Sequence, residues 1–348
     1  MSTISVQLAV LNGETYIRHC LDALASQRVD WGRVEILILD NGSTDRTREI
    51  IEYWQSEFGN QAPVAFIKSA QNHGMWGGQE LLLKHSRGAY VVFLSADVML
   101  EENFLARALE IMDADERVGG LQAKIYQYAA ADLAARSDAL PREIIDTCGF
   151  QIERSRRVTN IGHGQSDGER FNTYCEIFGV EGAVPVFRRG ALESIHILGE
   201  IADHDLFWYA EDLDVAWRIR IAGWKQVYDP RIIAWHDRQT TKSHARGLVS
   251  SVRRLDVRRR IPIEKRRLEW RNTRWTRIKN DYIMNILKDA PYIVAREIAV
   301  FGYTLLFEPG VFQELPHFIK GIPRMLRKRR QIMKSARASS QDIHRFFV

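Results

Sequence analysis

The residues of this chain that could do chemistry come in short polar clusters, each closing an apolar run. Leu11-Asn12-Gly13 follows the first run, Asp40-Asn41-Gly42-Ser43 the second, Gln71-Asn72-His73-Gly74 the third and Ser95-Ala96-Asp97 the fourth. In an open α/β sheet, ligands bind beyond the carboxyl ends of the strands. One aspartate beside a turn is ordinary turn chemistry; four polar run ends in succession, two with an aspartate, point to a ligand site. No G-x-G-x-x-G follows the first run and no G-x-x-x-x-G-K-[ST] occurs. Dehydrogenase and P-loop readings therefore lose their usual support.

These clusters need a scaffold that lines them up. Ile4 to Leu11, Val34 to Leu39, Val64 to Lys68 and Tyr90 to Ser95 read as strands, the second nearly all apolar as a buried parallel strand should be. Between them, Glu14 to Gln27, Thr44 to Trp54, a Gly-rich segment leading to a helix ending near Ser86, and Glu101 to Met112 read as helices. This β-α-β-α order predicts an α/β fold with a mostly parallel, doubly wound sheet. The alternation weakens after about residue 120, and residues 124 to 175 read as loops and a hairpin. Order returns with Val184 to Phe187, a helix from Glu211 to Ala222, and strands around Val227 and Ile233. From about residue 238 the chain reads as helical and basic.

The 348 residues carry a net charge of +5, concentrated late in the chain. Residues 253 to 274 hold ten Arg/Lys against three acids, and 320 to 337 hold eight against none. Such runs suit an anionic partner: a membrane surface, a phosphate-bearing substrate or nucleic acid. The competing reading is a solvated helix face. Three dispersed cysteines, Cys20, Cys148 and Cys175, offer no disulfide framework and fit a reducing cytoplasm. The N-terminus lacks the features of a signal peptide. The most apolar stretch, Ala290 to Phe307, is broken by Arg296 and Glu297 and reads as an amphipathic rather than a spanning helix.

Taken in order, the motifs resemble family 2 glycosyltransferases with the glycosyltransferase-A fold, especially rhamnosyltransferase-like bacterial members. The matching pieces are Val10-Leu11-Asn12-Gly13, Leu39-Asp40-Asn41-Gly42-Ser43-Thr44-Asp45, Asn72-His73-Gly74-Met75-Trp76-Gly77-Gly78 and Phe93-Leu94-Ser95-Ala96-Asp97. Gly179-Val180-Glu181-Gly182-Ala183, Phe187-Arg188-Arg189, Tyr209-Ala210-Glu211-Asp212-Leu213-Asp214, Trp217-Arg218, Ala222-Gly223-Trp224 and Trp235-His236 follow. The resemblance spans about residues 3 to 237, giving a catalytic domain 1–237 (nucleotide half about 1–120, acceptor half about 121–237) and a basic helical extension 238–348.

The resemblance implies roles position by position. Asp40 would contact the base, with Leu11 and Asn12 lining the same pocket, Asn72 and Gly74 would sit near ribose and phosphates, and Asn41, Ser95 and Ala96 would also bind the donor. Asp97 and His236 would bind a divalent ion, Mn²⁺ or Mg²⁺, and Asp212 of the Glu211-Asp212 pair would be the catalytic base. The donor would be a UDP- or dTDP-linked sugar and the acceptor a carbohydrate or lipid-linked hydroxyl. The enzyme would be cytoplasmic, at the inner face of the membrane, with no nucleic acid as partner and a homodimer as an alternative use of the extension.

That chemistry is coherent. A diphosphate leaving group gathers negative charge that a divalent cation neutralises. Mg²⁺ needs few protein ligands beside substrate phosphates, whereas an imidazole ligand favours Mn²⁺. Inversion needs one base, and a carboxylate suits it. The metal motif departs from members with two or three aspartates, having only Ser95-Ala96-Asp97. On the structural alternative, Asp40 closes a turn, Asp97 caps the following helix, His236 packs beside Trp235 and Arg218 forms an ion pair. Two other functions compete: a sugar nucleotidyltransferase, which would want Arg and Lys after the first strand where Leu11 to Tyr16 has neither, and a catalytically silent scaffold.

Overall fold

The computed structural model describes residues 3–134, 140–238, 258 and 261–348. Its strands are β1 (Ile4–Val10), β2 (Val34–Asn41), β3 (Val64–Ser69), β4 (Tyr90–Leu94), β5 (Val98–Leu100), β6 (Val118–Gln127), β7 (Ile145–Thr147), β8 (Phe150–Ile152), β9 (Val158–Asn160), β10 (Cys175–Glu176), β11 (Val186–Arg188) and β12 (Lys225–His236). The α-helices are α1 (Ile17–Ala25), α2 (Thr47–Phe58), α3 (Gly74–Leu83), α4 (Phe104–Ala114), α5 (Ala130–Ala134), α6 (Arg189–Ser194), α7 (Glu211–Ile221), α8 (Ile263–Asn280), α9 (Ile283–Lys288), α10 (Ala290–Phe307), α11 (Leu315–Lys334) and α12 (Ser340–His344).

The main sheet runs β10-β12-β6-β11-β4-β1-β2-β3, with β5 on β12 and β7 on β6. Strands β3, β2, β1 and β4 are all parallel, as the alternating sequence predicts. Register puts Val10 opposite Asp40 and Asp40 opposite Lys68, so the first three strand ends fall on one edge. The sheet continues through β11, antiparallel to both β4 and β6, and β6 runs parallel to β12. The fold class expected from the sequence is thus present, with one reversed strand at its centre.

Two sequence expectations are corrected here. Residues 124–127 belong to β6, a buried central strand, and the strands expected around Val227 and Ile233 are one strand, β12, with a register shift between Asp229 and Ile233. Strand β6 hides from periodicity because its buried positions include Gly119, Gly120, Gln122 and Lys124. Lys124 is kept there by Asp167, 3.0 Å away. The expected hairpin is β8–β9.

The segment beyond the expected boundary at residue 237 packs onto the part before it. Side chains from the C-terminal segment, Ile332, Ile343 and Phe347, share a buried cluster with Phe150, Ile152, Phe178 and Trp217 of the preceding part. The last residues add to β8, since Ile152 pairs with Phe347 and the Arg154 amide donates to the Val348 carbonyl. Several cations of the C-terminal segment are neutralised inside the protein. Arg271 pairs with Glu314, Arg274 and Arg277 with Glu297, and fully buried Lys328 with Asp203 and Asp205. Arg253, Arg254, Arg259 and Arg260 of the first run, and the start of the expected extension (239–257), lie outside the described residues.

Candidate active site

The first two strand ends are locked to each other before any ligand is considered. Asn12 takes a left-handed backbone (φ 52°), its amide donates to the Ser43 hydroxyl (2.9 Å), and its side-chain oxygen accepts from the Thr44 amide (2.8 Å). Asp40 is fully buried: one oxygen accepts from the Ser43 amide (2.9 Å) and the other from Arg48 Nε (2.9 Å). Burial opposes its charge, but Ser43 and Arg48 hold the carboxyl below its ordinary range. Asn41 clasps the third strand end, donating to Asn72 (3.2 Å) and the Gly74 carbonyl (3.0 Å) and accepting from the His73 amide (2.9 Å). Asp40 and Asn41, expected to touch a donor, therefore spend their side chains on the protein itself. Leu11, Asn12 and Asn72 are the exposed members of this rim, with Gly74 half-buried.

Below the rim opens a cleft of about 900 Å³. Ser95, Asp97, Glu211, Asp212 and His236 line it together, although 116 residues separate Ser95 from Glu211 in sequence. Leu11, Asn12, Asp40, Asn41, Asn72, Gly74 and Ala96 are not among its lining residues, and Ala96 is half-buried. Trp76 lines the cleft but packs edge-on against Phe93, as a core residue does.

Asp97 and His236 meet because β5 turns back onto β12. That antiparallel pair sets Val98 opposite His236. The result is a separation of 3.5 Å between His236 Nε2 and the Asp97 carboxylate. His236 Nδ1 lies 2.9 Å from Asp146, which also accepts from Arg238 (2.9 Å). Arg238 reaches on to Glu181 (2.7 Å). Burial disfavours an imidazolium, yet the Asp97 charge and the Asp146 hydrogen bond raise the His236 pKa to about 10. Burial likewise opposes the Asp97 charge, but His236 holds its carboxyl below the ordinary value. Asp97 does not cap α4, whose N-cap residue is Asn103.

Among the described residues no group of three or more His, Cys, Asp or Glu side chains could hold a metal ion. The Asp97–His236 pair supplies two ligands of suitable type. The Asp146 carboxylate on Nδ1 is the partner that metal-binding histidines commonly have, and it presents Nε2 toward Asp97. The pair fits a divalent ion whose remaining positions are filled by water or a ligand's phosphates.

Asp212 sits in the first turn of α7. Its Oδ1 accepts from the Leu213 amide (2.8 Å). Gly182 lies against it so tightly that a Cβ there would stand 3.1 Å from the carboxylate. Burial, then the nearby Glu181 charge, pushes the Asp212 pKa up to about 6. Burial pushes Glu211 up to about 8, with Asp212 and Asp214 adding to the effect. The two are neighbouring carboxyls with different tasks available: one ionised near neutrality, the other still protonated. Arg218 turns away, pairing with Asp214 (2.8 Å) and donating to the Ile195 carbonyl (2.6 Å), which makes it structural.

The segment entering α7 is strained. Phe207, Tyr209 and Ala210 all have positive φ (53°, 74° and 68°), a region that side chains with a Cβ seldom occupy. One buried side chain from α8 holds it: the Asn272 amide nitrogen donates to the carbonyls of Leu206 (2.7 Å), Trp208 (2.8 Å) and Tyr209 (2.9 Å). Lys265, Glu269 and Thr273 of the same helix complete this wall of the cleft.

A family model described as Glycosyl transferase family 2 matches residues 5–194, more than half of the chain. The chain belongs to glycosyl transferase family 2. The matched part carries the rim, Ser95 and Asp97; Glu211, Asp212 and His236 lie beyond it. The family 2 chain is 28% identical over 119 residues to Glycosyltransferase AglE of Haloferax volcanii, covering 34% of this chain and 38% of that protein. It is 23% identical over 232 residues to poly-beta-1,6-N-acetyl-D-glucosamine synthase of Staphylococcus epidermidis, covering 67% and 49%. The chain thus spans less than half the length of these relatives. Its fold is similar to that of the mannosyltransferase PcManGT from Pyrobaculum calidifontis, solved in complex with GDP-Man and Mn²⁺. That match has a TM-score of 0.53 and 15% identity, covering 96% of this chain and 85% of that one.

Sequence reasoning missed Asp146, Arg238, Lys265 and Asn272. Glu181 stood in a quoted motif but was given no role. Asp146 and Asn272 carry no local signal, because each becomes meaningful only against partners 90 and about 64 residues away.

Proposed function

We propose that this chain transfers a sugar from a nucleotide diphosphate donor to an acceptor hydroxyl with inversion, Asp212 acting as the base. The observation that carries the reading is the convergence of Asp212 and the Asp97–His236 pair on one cleft. Asp212, with a pKa near 6, is ionised at neutral pH yet basic enough to accept a proton from a hydroxyl as it attacks. Glu211, protonated at the same pH, adds no second charge beside the base. Asp97 and His236 are the residues that would hold a divalent ion, Mn²⁺ or Mg²⁺, whose charge would offset that of a departing diphosphate. The donor-bound, Mn²⁺-bound state of the Pyrobaculum protein of similar fold supports this use of the cleft. Leu11, Asn12, Asn72 and Gly74 line the nucleotide side, with Asp40 acting through Ser43 and Arg48.

The product belongs to a surface polysaccharide or glycolipid, with rhamnose a candidate sugar and UDP or dTDP the carrier. Work at the inner face of the membrane is supported by α10. Its outward side is apolar throughout, including Val294, Ile298, Phe301, Leu305 and Leu306, while Arg296 and Glu297 turn inward. Among the described residues it is the one helix long and apolar enough to cross a membrane. Exposed Lys320, Arg327 and Arg330 on α11 suit anionic lipid. A homodimer through α10 is the rival use of this surface.

The decisive experiment incubates the protein with UDP-, dTDP- and GDP-sugars and Mn²⁺ and follows nucleotide diphosphate release. Asp212→Asn should bind nucleotide normally and turn over at least about 100-fold more slowly. Formation of nucleoside triphosphate and sugar 1-phosphate from the same nucleotide sugars when pyrophosphate is added would instead establish the nucleotidyltransferase reading. Equal turnover in the mutant would remove Asp212 as base.

A further inference from the structure

Helix α8 carries many cations, and nearly all are answered by the protein. Arg266 pairs with Glu308, Arg271 with Glu314, Arg274 and Arg277 with Glu297, and Lys279 with Asp203 and Asp214. Arg267 donates to the Gly310 carbonyl and to Gln313. Lys265 is different. Among the described residues no carboxylate lies within ion-pair distance of it, and Glu269, one turn further along, is turned to Arg258. Its ammonium stands 4.0 Å from the Trp208 ring centre and 6.0 Å from that of Tyr209, inside the cleft wall. Burial alone lowers its pKa, consistent with a charge that has lost water and gained no counter-ion.

We infer that Lys265, Trp208 and Tyr209 form an acceptor subsite that takes an anionic carbohydrate, one bearing a phosphate or a carboxylate. Aromatic rings offer an apolar face to the C–H face of a sugar, and Trp208 is 43% exposed. A half-buried ammonium beside them supplies the charge an attached anion needs; hydrogen bonds to charged groups are the stronger class. The ligand is the acceptor rather than the donor because of position. Tyr209 and Ala210 lead directly into Glu211 and Asp212, so a sugar seated on these rings brings its hydroxyl to the base. The Asn272 clamp fixes the backbone of Trp208 and Tyr209, so the rings are held ready. This rests on the glycosyltransferase reading for the word acceptor, but not for the existence of an anion site.

Calorimetric titration of the full chain, with and without saturating UDP, tests it with three probes: glucose, glucose 6-phosphate and glucuronate. The wild type should bind one or both anionic probes at least about 10-fold more tightly than glucose, and which one identifies phosphate or carboxylate. Lys265→Gln should bring the anionic probe down to the glucose level, Lys265→Arg should retain most of the preference, and Trp208→Ala should weaken all three. UDP affinity should stay within about twofold in each variant, with thermal melts confirming that each is folded. No preference for an anionic probe in the wild type overturns the proposal. So does a Lys265→Gln variant that loses UDP while keeping the sugar anion. If no nucleotide diphosphate binds the wild type but the sugar anion does, the glycosyltransferase reading fails and the anion site stands.

Discussion

Lys279 Nζ lies 2.8 Å from the Asp214 carboxylate, and neither side chain is exposed. Asp214 stands two residues beyond Asp212 on α7, and Lys279 closes α8. Asp203 pairs with the same lysine and with Lys328 of α11, while Asn280 donates to Asp214 (2.8 Å). The helix that carries the proposed base is therefore anchored from behind by the C-terminal segment. Buried ions of this kind are satisfied only as a set, since removing one leaves another uncompensated.

Lys279→Met should lower stability by about 3–5 kcal/mol by leaving Asp203 and Asp214 short of a counter-charge. Denaturant melts measure the loss. The double variant Lys279→Met with Asp214→Asn should recover part of it. A melt unchanged by Lys279→Met would show that the network carries no net stability.

Truncation after Lys279 tests whether the catalytic part stands without the last helices. It removes Lys328, Ile332, Ile343 and Phe347, exposing Trp217 and Phe178. We expect that fragment to give no cooperative thermal transition. Replacing exposed apolar residues of α10 instead, as in Ile298→Lys with Leu305→Lys, should keep the melting temperature and abolish sedimentation with anionic liposomes. If these variants still sediment, α10 is not the membrane face; a shift from dimer to monomer would assign it to self-association.

Asn272→Ala removes the amide whose two N–H groups are shared among three carbonyls of a strained loop. Turnover should fall roughly 10-fold or more, and by more than nucleotide affinity does, because the loop leads straight into Asp212 whereas only its Phe207 end lies against Gly74 of the nucleotide rim. Asn272→Asp offers acceptors where donors are required and should be at least as damaging. Loss of nucleotide binding in parallel with turnover would mean the clamp serves the whole fold.

Folded Asp212 has a pKa raised above its unfolded value, so the folded state holds this proton more tightly. Its ionisation costs stability as pH rises from about 4, the ordinary carboxylate range, through about 6. Asp212→Asn should therefore be more stable than wild type by about 1–3 kcal/mol at pH 8, with the difference vanishing near pH 4. Wild-type kcat/KM should fall below about pH 6 as the base is protonated. A pH-independent stability difference would remove the buried-charge explanation.

Asp97→Asn should cancel the part of the nucleotide-induced thermal shift that depends on Mn²⁺. Asp146→Asn, which touches His236 without facing the ion, should weaken Mn²⁺ affinity about 10–100-fold. Full metal dependence in both variants would place the ion elsewhere.

The sequence by itself determined the parallel half-sheet and its four polar strand ends. Those features are local: an apolar run of five to eight residues followed by turn chemistry needs no distant partner to be read. It also marked Asp97, Asp212 and His236, through ordered motifs. Tertiary structure alone decided what each polar side chain is free to do. Asp40 and Asn41 look like ligand contacts in sequence, yet Arg48, Ser43 and the Asn72–Gly74 loop consume them. Arg329 and Lys328 look like a surface cluster, yet one donates to the Ile278 carbonyl and the other is buried on Asp203 and Asp205. Lys265, one cation among many on α8, gains its meaning from having no such partner among the described residues. Burial and pairing are set by which elements pack together, and a charge far along the chain leaves no trace in the local pattern it neutralises.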